Sequence, residues 1–162
     1  MAGNVKHTDA TDVDVLIVGA GIAGIDVAYR LQQRRPGASY LIMEARQAIG
    51  GTWDLFRYPG IRSDSDIASF SFPFRPWEGD ELVADGPKIR RYVNDTADAA
   101  GITPHIRFGL RVVAADWSMS AQRWTVRATT ASQAGATRHD DDDDDPADVT
   151  VTCRWLHLGT GY

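Results

Sequence analysis

Cysteine is almost absent: Cys153 is the only one in 162 residues. A single thiol excludes an intrachain disulfide and any cysteine metal cluster, and it suits a reducing, cytoplasmic setting. Long hydrophobic runs are missing too. The longest apolar stretch, Val13 to Ala28, is broken by three glycines and two aspartates, so it reads as no membrane span. Met1 to Asp12 contains no apolar core of the kind a secretory signal needs. There is no basic field either. The net charge of −5 comes from one run of six aspartates, Asp140 to Asp145, without which the remainder is close to neutral. Nucleic-acid binding and a uniformly acidic surface are both excluded.

What is present fits one soluble domain: 43% of residues are hydrophobic and 24% charged, over a length that buries a single core. Val13 to Val18 is a nearly continuous β-branched run that stops at Gly19, as a buried parallel strand does. Ile22, Ile25, Ala28 and Leu31 then recur at helical spacing up to Pro36-Gly37. Residues 39–43 give a second buried strand, completing a βαβ unit. Residues 45–86 are irregular and rich in aromatics, which points to a functional segment rather than a linker. A second helix opens at Asp85-Gly86-Pro87 and closes at Gly101, with Ile89, Tyr92, Val93, Thr96, Ala97 and Ala100 on its apolar face. After a short strand at 105–108 the period becomes two. Arg111 to Ser118, Arg123 to Thr129 and Asp148 to Thr152 read as an antiparallel meander, and Trp155 to Leu158 as a last parallel strand. The expected architecture is α/β: a Rossmann-like parallel sheet with helices on one face and the meander on the other. Residues 1–11 are expected to be disordered, 12–162 to form the domain, and 132–147 to be an acidic loop.

The chemistry-bearing motif is Gly19-Ala20-Gly21-Ile22-Ala23-Gly24. Alone, such a pattern is weak; directly after a buried strand and opening a helix, it is a dinucleotide fingerprint. Gly19 permits the turn, Gly21 lets backbone approach a pyrophosphate, and Gly24 lets the helix pack closely. Ala23 retains a backbone N–H for a phosphate at the helix N-terminus. Glu44 ends the second strand, where a carboxylate accepts from ribose hydroxyls. Gly50-Gly51 follows soon after, a second place for close approach to an extended cofactor, and this favours FAD over NAD.

The segment Gly50-Gly51-Thr52-Trp53-Asp54-Leu55-Phe56-Arg57-Tyr58-Pro59-Gly60-Ile61-Arg62-Ser63-Asp64-Ser65-Asp66 resembles the class B flavoprotein monooxygenases, nearest the ethionamide-activating branch of the Baeyer–Villiger type. The likeness continues through Phe74-Arg75-Pro76-Trp77, Ala84-Asp85-Gly86, His105 to Phe108, Trp124-Thr125-Val126 and Leu158 to Tyr162. It implies that Glu44 holds the adenosine ribose and that Thr52, Trp53, Asp54 and Leu55 line the flavin. It also implies that Asp64 sits near the reactive face as the catalytic candidate, that Arg62 and Ser63 meet the nicotinamide, and that Val112 offers backbone to the adenine. The implied cofactors are FAD and NADPH. The implied reaction is oxygen insertion into a small ketone, or oxygen transfer to a thioether or thioamide, after NADPH has reduced the flavin.

In that family a second Rossmann domain binds NADPH. No second GxGxxG follows residue 25, so the chain is expected to be the N-terminal FAD segment of a longer enzyme, inactive alone. The competing reading is a free-standing FAD- or NAD-binding module without catalysis. Several residues also carry plainer readings. Asp64, with Ser63 and Ser65 as rivals, suits the cap of a short helix over Ile67 to Phe70. Asp26 reads as a surface residue, and Trp117 and Trp124 as a cross-strand pair. His105 and His157 lack partners at metal-ligand spacing and are read as structural, and Cys153 as a small buried hydrophobe. No metal site is expected; the aspartates near His139 read as a solvated loop tip.

Overall fold

The computed structural model describes residues 11–130 and 149–161. Most of the terminal segment 1–11 and all of the acidic loop 132–147 lie outside the described residues. Strand β1 (Thr11–Val18), helix α1 (Ile22–Arg34) and strand β2 (Tyr40–Glu44) form the expected βαβ unit. Two single-turn helices, α2 (Thr52–Leu55) and α3 (Ile67–Phe70), interrupt the irregular segment, and α4 (Gly86–Ala99) follows. Then come β3 (Ile106–Phe108), β4 (Leu110–Ser118), β5 (Arg123–Thr130) and β6 (Val149–Leu158).

All six strands share one sheet in the order β3-β2-β1-β6-β5-β4. The first four are parallel and the last three antiparallel, with β6 common to both halves. This corrects one expectation. Asp148–Thr152 and Trp155–Leu158 are not separate strands: β6 runs unbroken through Cys153 and Arg154. Val151, Thr152 and Cys153 are paired on both sides, to β1 and to β5, so the change of sheet partner requires no break in the backbone.

Alternation along β2 sorts the core into two layers, since neighbouring strand residues face opposite sides. Tyr40 and Ile42 join Ile17 under α1 and α4, with Ile25, Ala28, Ile89 and Val93. Leu41 and Met43 face the other way and pack with Leu16, Leu110, Val126 and Ala128. The antiparallel limb thus lies over the face opposite the helices.

The irregular segment is pinned by its aromatics. Phe74 stacks on Tyr29 of α1 at 3.6 Å between ring centroids, and Phe72 stacks on both Phe74 and Tyr92. The Tyr92 hydroxyl accepts from Phe72 N–H at 2.7 Å and donates to the Arg75 carbonyl. Asp85 caps α4 by accepting from Lys88 N–H. The cap of α3 is Asp66, which accepts from Ser69 N–H at 2.7 Å, and not Asp64, Ser63 or Ser65. Asp66 immediately precedes the first helical residue, where a capping carboxylate reaches the first turn. Ser63 is otherwise engaged, its hydroxyl accepting from Ala84 N–H.

Candidate functional site: a glycine-lined groove

The carboxyl ends of β1, β2 and β6 open into one groove, where ligands bind in open α/β sheets. Three backbone segments make it. The first is the turn from β1 into α1, with Gly19 at φ +101°, a conformation that favours glycine. A Cβ on Gly19 would lie 2.4 Å from the Gly159 carbonyl oxygen, so only glycine lets the β1 turn and the end of β6 close together. The second is Gly50-Gly51 with the start of α2. The third is Gly159 to Gly161 beyond β6. Hydrogen bonds knit them: Gly19 N–H donates to Met43, Gly50 N–H to Ala20 and Gly159 N–H to Val18.

Helix α1 points its N-terminus into this groove. Gly21 is its N-cap residue and supplies no side-chain cap, so the first-turn N–H groups and the positive end of the helix dipole are left for an anion. A Cβ on Gly21 would lie 3.3 Å from the Gly51 Cα, and one on Gly51 would lie 3.0 Å from the Gly21 Cα. The two glycine motifs therefore meet backbone to backbone, a contact that a side chain on either would force apart. The uncapped first turn beside this contact suits a diphosphate.

Glu44 is 7% exposed. Its Oε2 accepts from Ala20 N–H at 2.8 Å and its Oε1 from Arg46 N–H at 2.9 Å. The carboxylate therefore ties the glycine turn to the end of β2, and it lines the groove as a fixed acceptor.

The structure brings Gly19, Gly21, Ala23, Glu44, Gly51, Thr52, Trp53 and Leu55 to this one groove. Other candidates lie elsewhere. Gly24 sits beneath the turn, where a Cβ would be 2.0 Å from the Gly19 carbonyl oxygen. Asp54 is buried and turned to arginines: Arg57 Nη2 at 2.7 Å, Arg46 Nε at 3.2 Å and Arg90 Nε at 3.3 Å. Ser63 is buried against Ala84, while Arg62 and Asp64 are exposed beside it on the segment leading to α3. Val112 is half-buried on β4, packed on the second core layer at an irregularity in the β4–β5 register.

Residues that sequence reasoning had not selected for the site are Arg46, Ile22 and the backbone of Leu158 to Gly161. The glycines after β6 carried a usable signal, a second turn at a strand end; nothing in the sequence distinguishes Arg46. A larger cleft of about 720 Å³ lies next to the groove and shares Trp53 with it; Phe56, Tyr58, Ile61, Arg57, Arg90 and Arg91 contribute to its walls. The larger volume does not make it the dinucleotide site, because the glycine cradle, the helix N-terminus and the fixed carboxylate all belong to the groove. Among the described residues no group of three or more His, Cys, Asp or Glu is placed to hold a metal, and no helix is long and apolar enough to cross a membrane.

A family model described as an NAD(P)-binding Rossmann-like domain matches residues 17–94. The FAD-containing monooxygenase EthA of Mycobacterium tuberculosis is 48% identical over 150 residues, which is 93% of this chain and 28% of that protein. Among solved structures, oxidized steroid monooxygenase bound to NADP superimposes with a TM-score of 0.76 at 33% identity, covering 93% of this chain and 26% of its own. OTEMO in complex with FAD and NADP gives 0.72 at 33% identity, covering 92% and 26%. The chain therefore spans about a quarter of the length of the proteins it matches. In sequence and in fold alike, the chain is similar to one stretch of the class B flavoprotein monooxygenases.

Proposed function

We propose that the groove binds FAD and that the chain provides the flavin-holding part of an NADPH-using monooxygenase acting on a small ketone, thioether or thioamide. The observation that carries this reading is the meeting of Gly21 and Gly51 at the uncapped N-terminus of α1, with Glu44 fixed at the end of β2. Bound FAD supplies the redox chemistry; the protein supplies position and electrostatics. The first turn of α1 would hold the diphosphate, and Glu44 would accept from ribose hydroxyls. Thr52, Trp53 and Leu55 would flank the flavin end, with Trp53 held edge-on by Phe70 at 5.7 Å.

Asp64 and Arg62, both exposed, are assigned to the reactive face and the nicotinamide side, with Ser63 anchoring the segment between them through Ala84. The Val112 backbone is assigned to the adenine. These assignments rest on the resemblance of the segment Gly50 to Asp66. Titration of the purified chain with FAD, followed by flavin fluorescence, tests the reading: a saturable change is expected, and its absence would remove the groove as a flavin site.

A further inference from the structure

Arg46 stands two residues after Glu44 and has a conspicuous arrangement. Its backbone N–H donates to Glu44, while its Nη2 donates to the Gly51 carbonyl. It therefore bridges two walls of the groove, the end of β2 and the second glycine pair. Its side chain is 32% exposed and lines the groove. Its Nε is buried and lacks a hydrogen-bond partner, although Asp54 Oδ2 lies 3.2 Å away. Asp54 therefore holds this nitrogen by charge.

Charge points the same way. Asp54 is 6% exposed and faces the guanidiniums of Arg46, Arg57 and Arg90. One carboxylate against three cations leaves positive charge in excess. Glu44 offsets part of it through space, but its oxygens are bonded to backbone N–H groups and not to a guanidinium, and three cations against two carboxylates still leave an excess. Of the three arginines, only Arg46 lines the groove; Arg57 and Arg90 line the adjoining cleft. Gly51, to which Arg46 is bonded, is the residue that faces Gly21 at the start of α1. The guanidinium thus lies beside the place where an anion would meet the helix N-terminus. A planar, permanently charged fork suits phosphate oxygens better than an ammonium does.

Resting on the reading of the groove as a flavin site, we infer that Arg46 is a cofactor-binding residue that pairs with the diphosphate of the dinucleotide. Asp54 is its positioning residue, holding the guanidinium from behind. Helix N-terminus and guanidinium then close on the diphosphate from two sides.

The test is FAD titration of the chain by flavin fluorescence at low and high salt, for the parent, Arg46→Ala, Arg46→Lys and Asp54→Asn, each checked by thermal melting without cofactor. Arg46→Ala is expected to weaken FAD about tenfold and to flatten the salt dependence, because one screened charge pair is gone. Arg46→Lys should recover part of the affinity and most of the salt dependence. Asp54→Asn should weaken binding less than Arg46→Ala. Unchanged affinity in Arg46→Ala overturns the inference. So does a loss that accompanies a lowered melting temperature, keeps the parental salt dependence and is not rescued by lysine, which would make Arg46 structural. If the parent itself fails to bind FAD, the flavin reading of the groove falls first, and that result is separate from any difference among variants.

Discussion

Glu44 Oε2 and Ala20 N–H are 2.8 Å apart, joining the end of β2 to the middle of the first glycine turn. Ala20 is fully buried, so this N–H has no recourse to water if the carboxylate is removed. Glu44 therefore has two tasks, holding the turn and presenting an acceptor to a ligand. Glu44→Ala should destabilise the chain even without cofactor, by about 1–3 kcal/mol for the stranded donor, and should abolish FAD binding. Glu44→Gln keeps one acceptor oxygen and should retain more of the stability. Thermal melts without cofactor check this; equal melting temperatures for parent and Glu44→Ala would show that the contact does not hold the turn.

Asp14 predicts a pH dependence. Its Oδ2 accepts from both the N–H and the hydroxyl of Ser39, each at 2.9 Å, tying β1 to the turn before β2. The Ser39 N–H, then its hydroxyl, hold the carboxyl below its ordinary value of 3.8, with Arg154 and Arg123 adding to the effect. A carboxyl with a depressed native pKa binds its proton less readily folded than unfolded. Its stabilising effect is full above about 4 and disappears as the pH falls through the lowered native value. Urea unfolding midpoints of parent and Asp14→Asn, measured from pH 7 down to pH 3, should differ most near neutrality and converge in acid. Asp66 and Glu81 are also depressed, so both curves should slope and only their difference isolates Asp14. Parallel curves would show that the pair contributes nothing.

Much of the architecture was legible because its determinants are local. The β-branched run into Gly19 marks β1, and Asp85-Gly86-Pro87 marks the start of α4, each within a few residues. Trp117 and Trp124 flank a turn, and they do lie directly opposite each other, with ring centroids 5.4 Å apart. His105 reads as structural, and its ring stacks on Tyr40 at 4.3 Å. Cys153 is wholly buried, and burial pushes its thiol above the usual range. What escaped the sequence is non-local. The continuity of β6 depends on two partners far away in the chain, and the Asp54 cluster joins α2 and α4 to the segment after β2. Arg46 gains its place in the groove only when the second glycine pair folds back onto the first.

Three glycines give a graded test of why the groove is built as it is. Gly37 has nothing within 4 Å of an added Cβ; at Gly21 the added carbon would sit 3.3 Å from the Gly51 Cα; at Gly24 it would sit 2.0 Å from the Gly19 carbonyl oxygen. Gly37→Ala should be neutral or stabilise by about 0.4–1 kcal/mol, through the lower entropy of the unfolded chain. At Gly21 the φ of −83° is open to alanine, and Gly51 need yield only slightly. Gly21→Ala should therefore cost little stability yet weaken FAD strongly, because the methyl group pushes the second glycine pair away from the first turn of α1 and reshapes the groove there. Gly24→Ala drives a carbon into a backbone oxygen that cannot rotate away, so the turn must separate from α1. Its stability loss should be the largest of the three, about 1–3 kcal/mol or more, with FAD binding lost as a consequence. Urea unfolding without cofactor and FAD titration of each variant separate the two effects. Parental affinity in Gly21→Ala would mean that the diphosphate does not lie beside the meeting of the glycine motifs, and parental stability in Gly24→Ala would mean that α1 does not depend on its close seat against Gly19.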